Sequence, residues 1–512
     1  MNRRLALAVM AVAAAGVGVA GEGQSTEVPT PALGGHEIPP HPRQLQFQPS
    51  SWSPPRSADS RFDLAGGVNG FLVGDATLPL VDIVVVARAG ADRETSDQRG
   101  LAQLTAALLR RGGTRDLEPA AFDDRADELG VIMHSQSTPL YGAATLRTTS
   151  EALEEGVELL LDMIERPRFD PTRLASIKRN MAEGMTRRNL DPTAVLDREW
   201  DWLLYGETHF STQPLRPSDL ERSTSAAVTE FHRRHWRPEN LTFAVSGDVD
   251  RERLARLVNP RLEAWASRLA AAERFSWPPE PPTGQPRAGL FHVAADIPQA
   301  KVALGHRAPP DLPTDEERVR LEVLAEILGG RGAISRLNGR LRSAEGLVYG
   351  VELRLDPGDL WPADYRVAFD TLGRNTCLAM SAALEEIERI RSAPPHPEEL
   401  AVVKRELLAR QFQAFDTAEE AVGYLVQDWL VGRSPDYRRR YGALLEQVTP
   451  QDVLATARLN LWPEDLTVLI VGPWESSRGN LDAAGVSELE RIVGHRVEAL
   501  PKRDPSTLQP SN

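Results

Sequence analysis

The chain of 512 residues is too long for one hydrophobic core and suits two or more domains of ordinary size. Its 41% hydrophobic and 26% charged residues form a globular composition, and a formal net charge of −14 leaves no basic stripe of the kind nucleic acid requires. A single cysteine, Cys377, excludes an intrachain disulfide and any cysteine-based zinc site.

At the N-terminus, Arg3 and Arg4 precede an apolar run from Leu5 to Ala20 and then polar residues. Residues 1–20 read as a secretory signal peptide. The run is shorter than the roughly 20 residues a spanning helix needs, so cleavage is preferred over retention as an anchor. No other stretch can span a bilayer. Export without disulfides suits a bacterial periplasmic protein of appreciable core size. Residues 21–60, with Pro39-Pro40 and Pro54-Pro55, read as a Pro-rich leader.

Folding is expected to begin near Arg61. The run Val81 to Ala87 predicts a strand, which leads through Ala91 to Thr95 into a helix over Leu101–Leu109. Gly130 to Ser137 predicts another strand. Leu153, Val157, Leu160, Leu161 and Ile164 repeat at helical spacing, and a second helix is expected over 171–186. A helix ending in Phe231 to Asn240 runs into the strand Leu241 to Asp248. Pro278, Pro279, Pro281, Pro282 and Pro286 mark a linker over 269–288.

The second half reopens in the same way, with a strand over Ala300–Gly305, a helix over Val319–Leu328 and a closing strand over Leu466–Pro473. This is an internal two-fold repeat of about 200 residues, far larger than a solenoid unit. One antiparallel-rich sheet plus helices in each half predicts an α+β protein of two related domains, 61–268 and 289–474. Residues 475–512 read as a polar tail.

Two constellations could carry chemistry. His232 and His235 share a helix face at i, i+3. No further ligand stands at a useful spacing, so they read as packing residues, and an unrelated metal hydrolase built on them would have to hold zinc in this chain alone. The glycine-rich turn Gly329-Gly330 is followed by Arg342 and, seven residues on, Tyr349. Spacing alone reads these two as a solvated helix residue and a strand aromatic.

The ordered landmarks resemble the pitrilysin (insulinase) family of zinc peptidases across nearly the whole folded chain. Gly100 to Thr114 resembles that family's metal-binding helix with its inverted H-x-x-E-H motif, with Gln103, Ala106 and Ala107 standing where His, Glu and His belong. Arg93-Glu94-Thr95 resembles its acidic loop, and the run from Phe231 to Asn240 its aromatic-basic-Arg-Pro-x-Asn helix end. Glu183 stands 76 positions after Ala107, where the family has its third ligand. Zinc takes imidazole, thiolate or carboxylate, and a catalytic site needs three protein ligands, so two alanines and an amide leave Glu183 an orphan.

The segment from Ser335 to Gly350 resembles the family's Arg/Tyr substrate segment. The resemblance implies paired α/β-roll domains forming a half-clamshell, with no zinc in this chain. A homologous subunit with an intact H-x-x-E-H motif would bring the metal and the general-base Glu. Arg342 and Tyr349 would hydrogen-bond the substrate carbonyl and stabilise its oxyanion. An extended peptide would join the edge strand near His134 and Ser135, with Gly329 and Gly330 close to it. The rival is a non-hydrolytic peptide-binding or scaffolding chamber of the cell envelope.

Overall fold

The computed structural model describes residues 54–270, 278–330 and 335–511. The signal peptide read at 1–20, most of the leader, residues 271–277 of the linker and residues 331–334 of the glycine-rich turn lie outside the described residues.

Two six-stranded sheets organise the chain. The first contains β1 (Arg61–Asp63), β2 (Asn69–Gly74), β3 (Leu80–Ala87), β4 (Ile132–Ser137), β5 (Gly142–Thr149) and β6 (Leu241–Gly247). Its order is β1-β2-β6-β3-β5-β4, with β2 and β6 parallel and the other pairs antiparallel. The second contains β7 (Gly289–Ala294), β8 (Gln299–Arg307), β9 (Val348–Leu355), β10 (Asp364–Leu372), β11 (Thr467–Gly472) and β12 (Val497–Leu500). Its order, β12-β7-β11-β8-β10-β9, repeats the first sheet's plan in the five strands β7 to β11, while the outer strand β12 comes from the C-terminal end and is parallel to β7 where β1 is antiparallel to β2.

The helices repeat as well. The first half carries α1 (Leu101–Arg111), α2 (Leu153–Glu165), α3 (Pro171–Thr186), α4 (Pro192–Tyr205) and α5 (Ser225–His235). The second carries α6 (Asp315–Gly329), α7 (Thr376–Ser392), α8 (Pro397–Gln413) and α9 (Ala418–Leu430). Helix starts follow side-chain chemistry: Asp170 and Asp191 cap α3 and α4, and Thr314 with Glu317 forms a capping box on α6.

The central strands read as unbroken apolar runs because both of their faces are covered. In β3, Val81, Ile83 and Val85 enter the first half's own core with Leu104 and Leu108 of α1 and Leu160 of α2. The alternate residues Val84 and Val86 face the other way, onto Val422, Leu425 and Val426 of α9, a helix of the second half. The exchange is reciprocal. Ala303 of β8 and Leu469 and Val471 of β11 pack on Val195, Trp200 and Leu203 of α4, while Val302, Leu304 and Ile470 fill the second half's own core. Each half therefore lends one helix to the other's sheet, and Trp200 adds an indole N–H donated to Asp364 Oδ2 at 2.9 Å.

The segment after Pro473 departs from the expected polar tail. Trp474–Ser477 and Glu488–Val493 form short helices, and β12 adds to the outer edge of the second sheet, parallel to β7. Arg503 then reaches back to α4, where it donates to Glu199 at 3.1 Å and lies 4.4 Å from the Trp202 ring. The tail is held by main-chain pairing, by ion contacts and by Leu489, which is buried in the second half's core with Trp474, Ile492 and Val493 packed against the same cluster. The Ser487/Glu490 capping box, with Leu489, Ile492 and Val493 at helical spacing, is the legible sign of a helix there.

Candidate functional site

Helix α1 is fixed at its start by the acidic loop. Glu94 accepts from the backbone N–H groups of Gly100 at 2.9 Å and Ala102 at 2.7 Å, satisfying donors that the helix itself cannot. Gly100 sits at φ +91°, a left-handed conformation that favours glycine. Burial pushes the Glu94 carboxyl up to about 7, against the two amide hydrogen bonds that hold it down.

Gln103 is exposed, Ala106 is buried and Ala107 is half-buried. The helix lies against edge strand β4: the Ser135 hydroxyl donates to the Ala106 carbonyl and accepts from the Arg110 N–H at 3.2 Å, and the Arg110 guanidinium donates to the Met133 carbonyl at 3.1 Å. Helix α3 packs on α1 and presents Glu183 exposed to solvent. The scaffold thus brings the three former ligand positions and that of the general base to two adjoining helices, yet a lone carboxylate beside an amide and two methyl groups does not fit zinc. Among the described residues, no group of three or more His, Cys, Asp or Glu side chains could hold a metal ion.

Strand β4 closes one edge of its sheet and leaves one side of its backbone unpaired, with His134 exposed on it. The Ser135 side chain is spent on α1, so this residue has only its main chain to offer a peptide.

His232 and His235 are both buried. His232 Nε2 is 2.8 Å from the Ile164 carbonyl, and its ring packs edge-on to Phe169 at 5.3 Å. Burial depresses its pKa to about 4 despite that hydrogen bond, so it is a neutral core imidazole at physiological pH.

The second half presents the corresponding edge strand, β9. Tyr349 is 87% exposed on it. The Arg342 guanidinium lies 5.3 Å from the Tyr349 ring centre, a cation–π distance, so residues seven apart in sequence form one exposed pair. Arg342 rides on a π-helical turn over Asn338–Ala344, an irregular geometry common at functional sites.

The brace beneath this pair is Asn338, a residue that no motif in the sequence singles out. Its buried amide accepts from the Val351 N–H at 3.0 Å and donates toward Ser335 Oγ at 3.1 Å and the carbonyls of Gly330 and Val351 at 3.3 Å each. It ties the turn that carries Arg342 to the strand that carries Tyr349. Arg340 adds ion pairs to Glu345 at 2.9 Å and Glu385 at 2.6 Å. A polar amide between Leu337 and Leu341 is the only sequence sign of this role.

Gly329 and Gly330 are buried at the end of α6. A Cβ on Gly329 would lie 2.2 Å from Leu353 Cβ, and one on Gly330 would lie 2.1 Å from Glu326 Oε1. Close packing of α6 under β9 therefore requires Gly329, while Gly330 is confined by Glu326 of α6 itself, whatever the two offer a ligand.

Paired α+β domains, a metal helix without ligands and an exposed Arg/Tyr pair define a metallopeptidase fold lacking its own metal-binding residues. Comparison with known proteins carries this to a family. Residues 223–407 match the model described as the Peptidase M16 inactive domain. An uncharacterized zinc protease of Mycobacterium leprae is 30% identical over 46% of this chain and 51% of its own length, so the chain spans about half the length of the curated relatives it matches. The crystal structure of a peptidase M16 inactive domain from Pseudomonas fluorescens aligns with TM-score 0.71 at 21% identity, covering 81% of this chain and 98% of that one. The periplasmic protease PqqL of Escherichia coli aligns with TM-score 0.66 at 17% identity, covering 86% of this chain and 49% of that one. Residues 223–407 thus match the inactive domain of the pitrilysin/insulinase (M16) family, and the chain has the fold of that family's solved structures.

Proposed function

We propose that this chain is the zinc-free subunit of an exported M16-type peptidase and lends Arg342 and Tyr349 to a composite site whose metal and general base belong to a second, homologous subunit. The observation that carries the reading is the exposed pair itself. A phenol with 87% of its surface exposed stacks against a guanidinium on a braced edge strand, where core packing gives it no reason to stay. Both groups are donors, and together they suit a peptide carbonyl on which negative charge develops. The match to about half of PqqL supports pairing with a second half-clamshell. Edge strand β4 supports an extended peptide as the bound chain. Export rests on residues 1–20.

The test is reconstitution with a homologous subunit that has an intact H-x-x-E-H motif. Peptide hydrolysis is expected only from the mixture, with zinc in the partner alone by metal analysis. Stoichiometric zinc in this chain would overturn the reading. Peptide binding with no hydrolysis from any such mixture would favour a capture or scaffolding chamber.

A further inference from the structure

A cavity of about 290 Å³ lies between the two halves, and its lining includes neither the exposed Arg/Tyr pair nor α1. Asp197, Asp201 and Tyr205 of α4 form one wall, Arg354 of β9 and Arg366 of β10 another, and Trp361 from the loop between those strands lines it as well. The volume is at the lower end for small-molecule sites and suits a ligand the size of one long side chain.

The charges do not balance. Arg366 donates to Asp197 Oδ1 at 2.8 Å and lies 3.7 Å from Asp364 Oδ2. Asp364 also faces Arg354 at 3.4 Å and takes the Trp200 indole N–H. Asp359, at the rim, is held by Arg433 at 2.8 Å and Arg318 at 3.2 Å. Arg307, stacked on Tyr205 at 5.6 Å, is turned to the carbonyls of Gly284 and Pro282 at 3.1 Å each. Asp201 alone among the cavity's carboxylates makes no hydrogen bond and no ion pair among the described residues. His209, 5.6 Å from the Trp361 ring, is depressed by burial and adds no cation at neutral pH.

A recessed carboxylate without a counter-charge is costly to maintain, and groups of this kind cluster where a ligand uses them. Water would hydrate Asp201 but leave its charge in place. We propose that this cavity binds an ammonium or guanidinium group on a short apolar stem, with Asp201 as its counter-ion and the Tyr205 and Trp361 rings as its walls. Aromatic faces attract cations, and the carboxylate surplus repels anions. Burial, then the Asp364 and Asp197 carboxylates, push the Asp201 carboxyl up to about 7, against the pull of Arg366, so an arriving cation displaces a proton. Two sources supply this chemistry. One is a free small amine or guanidine; the other is a Lys or Arg side chain of a peptide on β4, whose last residue, Ser137, also lines the cavity. Cation binding itself is independent of the composite-peptidase reading, and only the peptide source rests on it.

Titration calorimetry at pH 8 with n-butylguanidinium and its neutral isostere n-butylurea decides the point. A second pair, acetyl-Ala-Ala-Arg-Ala-Ala amide and the same peptide with citrulline for Arg, separates the sources. The charged member of at least one pair is expected to bind at least about tenfold more tightly than its isostere, a difference that vanishes in Asp201→Asn and persists in Glu154→Gln, an exposed change on α2. Preference for the peptide assigns a side-chain subsite, and preference for butylguanidinium a small-cation site. Equal binding of charged and neutral members, binding of neither pair, or an unchanged affinity in Asp201→Asn overturns the proposal. A rise in the wild-type Tm with the cation and not with its isostere supports it without any variant, and an equal rise with both counts against it.

Discussion

The two halves use one architecture for two purposes, and their matching edges show how. In the first half, β4 is stitched to α1 through Ser135 and Arg110, and α1 offers an amide and two methyl groups where metal ligands would stand. In the second half, β9 carries an exposed phenol against a guanidinium on an irregular helical turn. The first edge is kept as backbone, and the second as side-chain chemistry. Helix α1 keeps its core contacts through Leu104, Leu108 and Leu109, and Ala107 of the former ligand face packs against the same cluster. Binding residues can therefore be removed from a helix while the helix itself stays.

The comparison is most easily broken at Tyr349. With a zinc-bearing partner, Tyr349→Phe or Arg342→Ala is expected to lower kcat/KM by about 10²–10³, the usual effect of losing an oxyanion donor. Asn338→Ala should lower it less and should also lower Tm, since it acts by positioning the pair. Full activity in Tyr349→Phe would remove that residue from the mechanism.

The first half is tested by giving ligands back. Gln103→His with Ala107→His restores two imidazoles at i, i+4 opposite Glu183, a His₂Glu set. Metal analysis should show zinc near one per chain in the double variant and its loss on adding Glu183→Ala. No uptake would mean that α1 and α3 have shifted from the spacing zinc needs.

Gly329→Ala should cost about 1–3 kcal/mol, as an overpacked contact between α6 and β9 does, read as a lower midpoint in urea. Its counterpart on the first edge, Ser135→Ala, should cost about 1 kcal/mol by removing the hydroxyl that joins β4 to α1. If the order were reversed, β4 and not β9 would be the more tightly held edge.

The cavity between the halves adds a pH signature. Asp201, with its carboxyl raised to about 7, is neutral in acid and charged above that value. Cation affinity should therefore rise from pH 6 to pH 8 and level off beyond. The same sign applies to folding. A raised carboxyl binds its proton more tightly in the folded state, so its charging costs stability as pH climbs from the unfolded value of 3.8 to about 7. Asp201→Asn should raise Tm at pH 8 and leave it nearly unchanged at pH 4.

Much of the molecule is readable in the chain because local pattern and internal repetition carry it. The paired strand–helix openings, the vacancy at Gln103, Ala106 and Ala107, and the seven-residue step from Arg342 to Tyr349 are all statements about residue type and order. The structured tail is less readable, because β12 is held by backbone pairing with β7 and Arg503 anchors the chain after it to α4, contacts that leave no apolar period; only the short helix with Leu489 carries one. Asn338 is equally silent, because a buried amide is distinguished only by its partners, which lie across a turn and a strand.

Residue type determined that this chain cannot ligate zinc as its relatives' motif does: alanine has no donor in any fold. Only the tertiary structure decided that α4 and α9 are exchanged between the halves, since an apolar strand does not record which helix covers each of its faces. For the same reason only the folded chain could show Asp201 without a counter-charge. The sequence contains arginines enough for every carboxylate in that cavity, and geometry alone determined which of them was left unpaired.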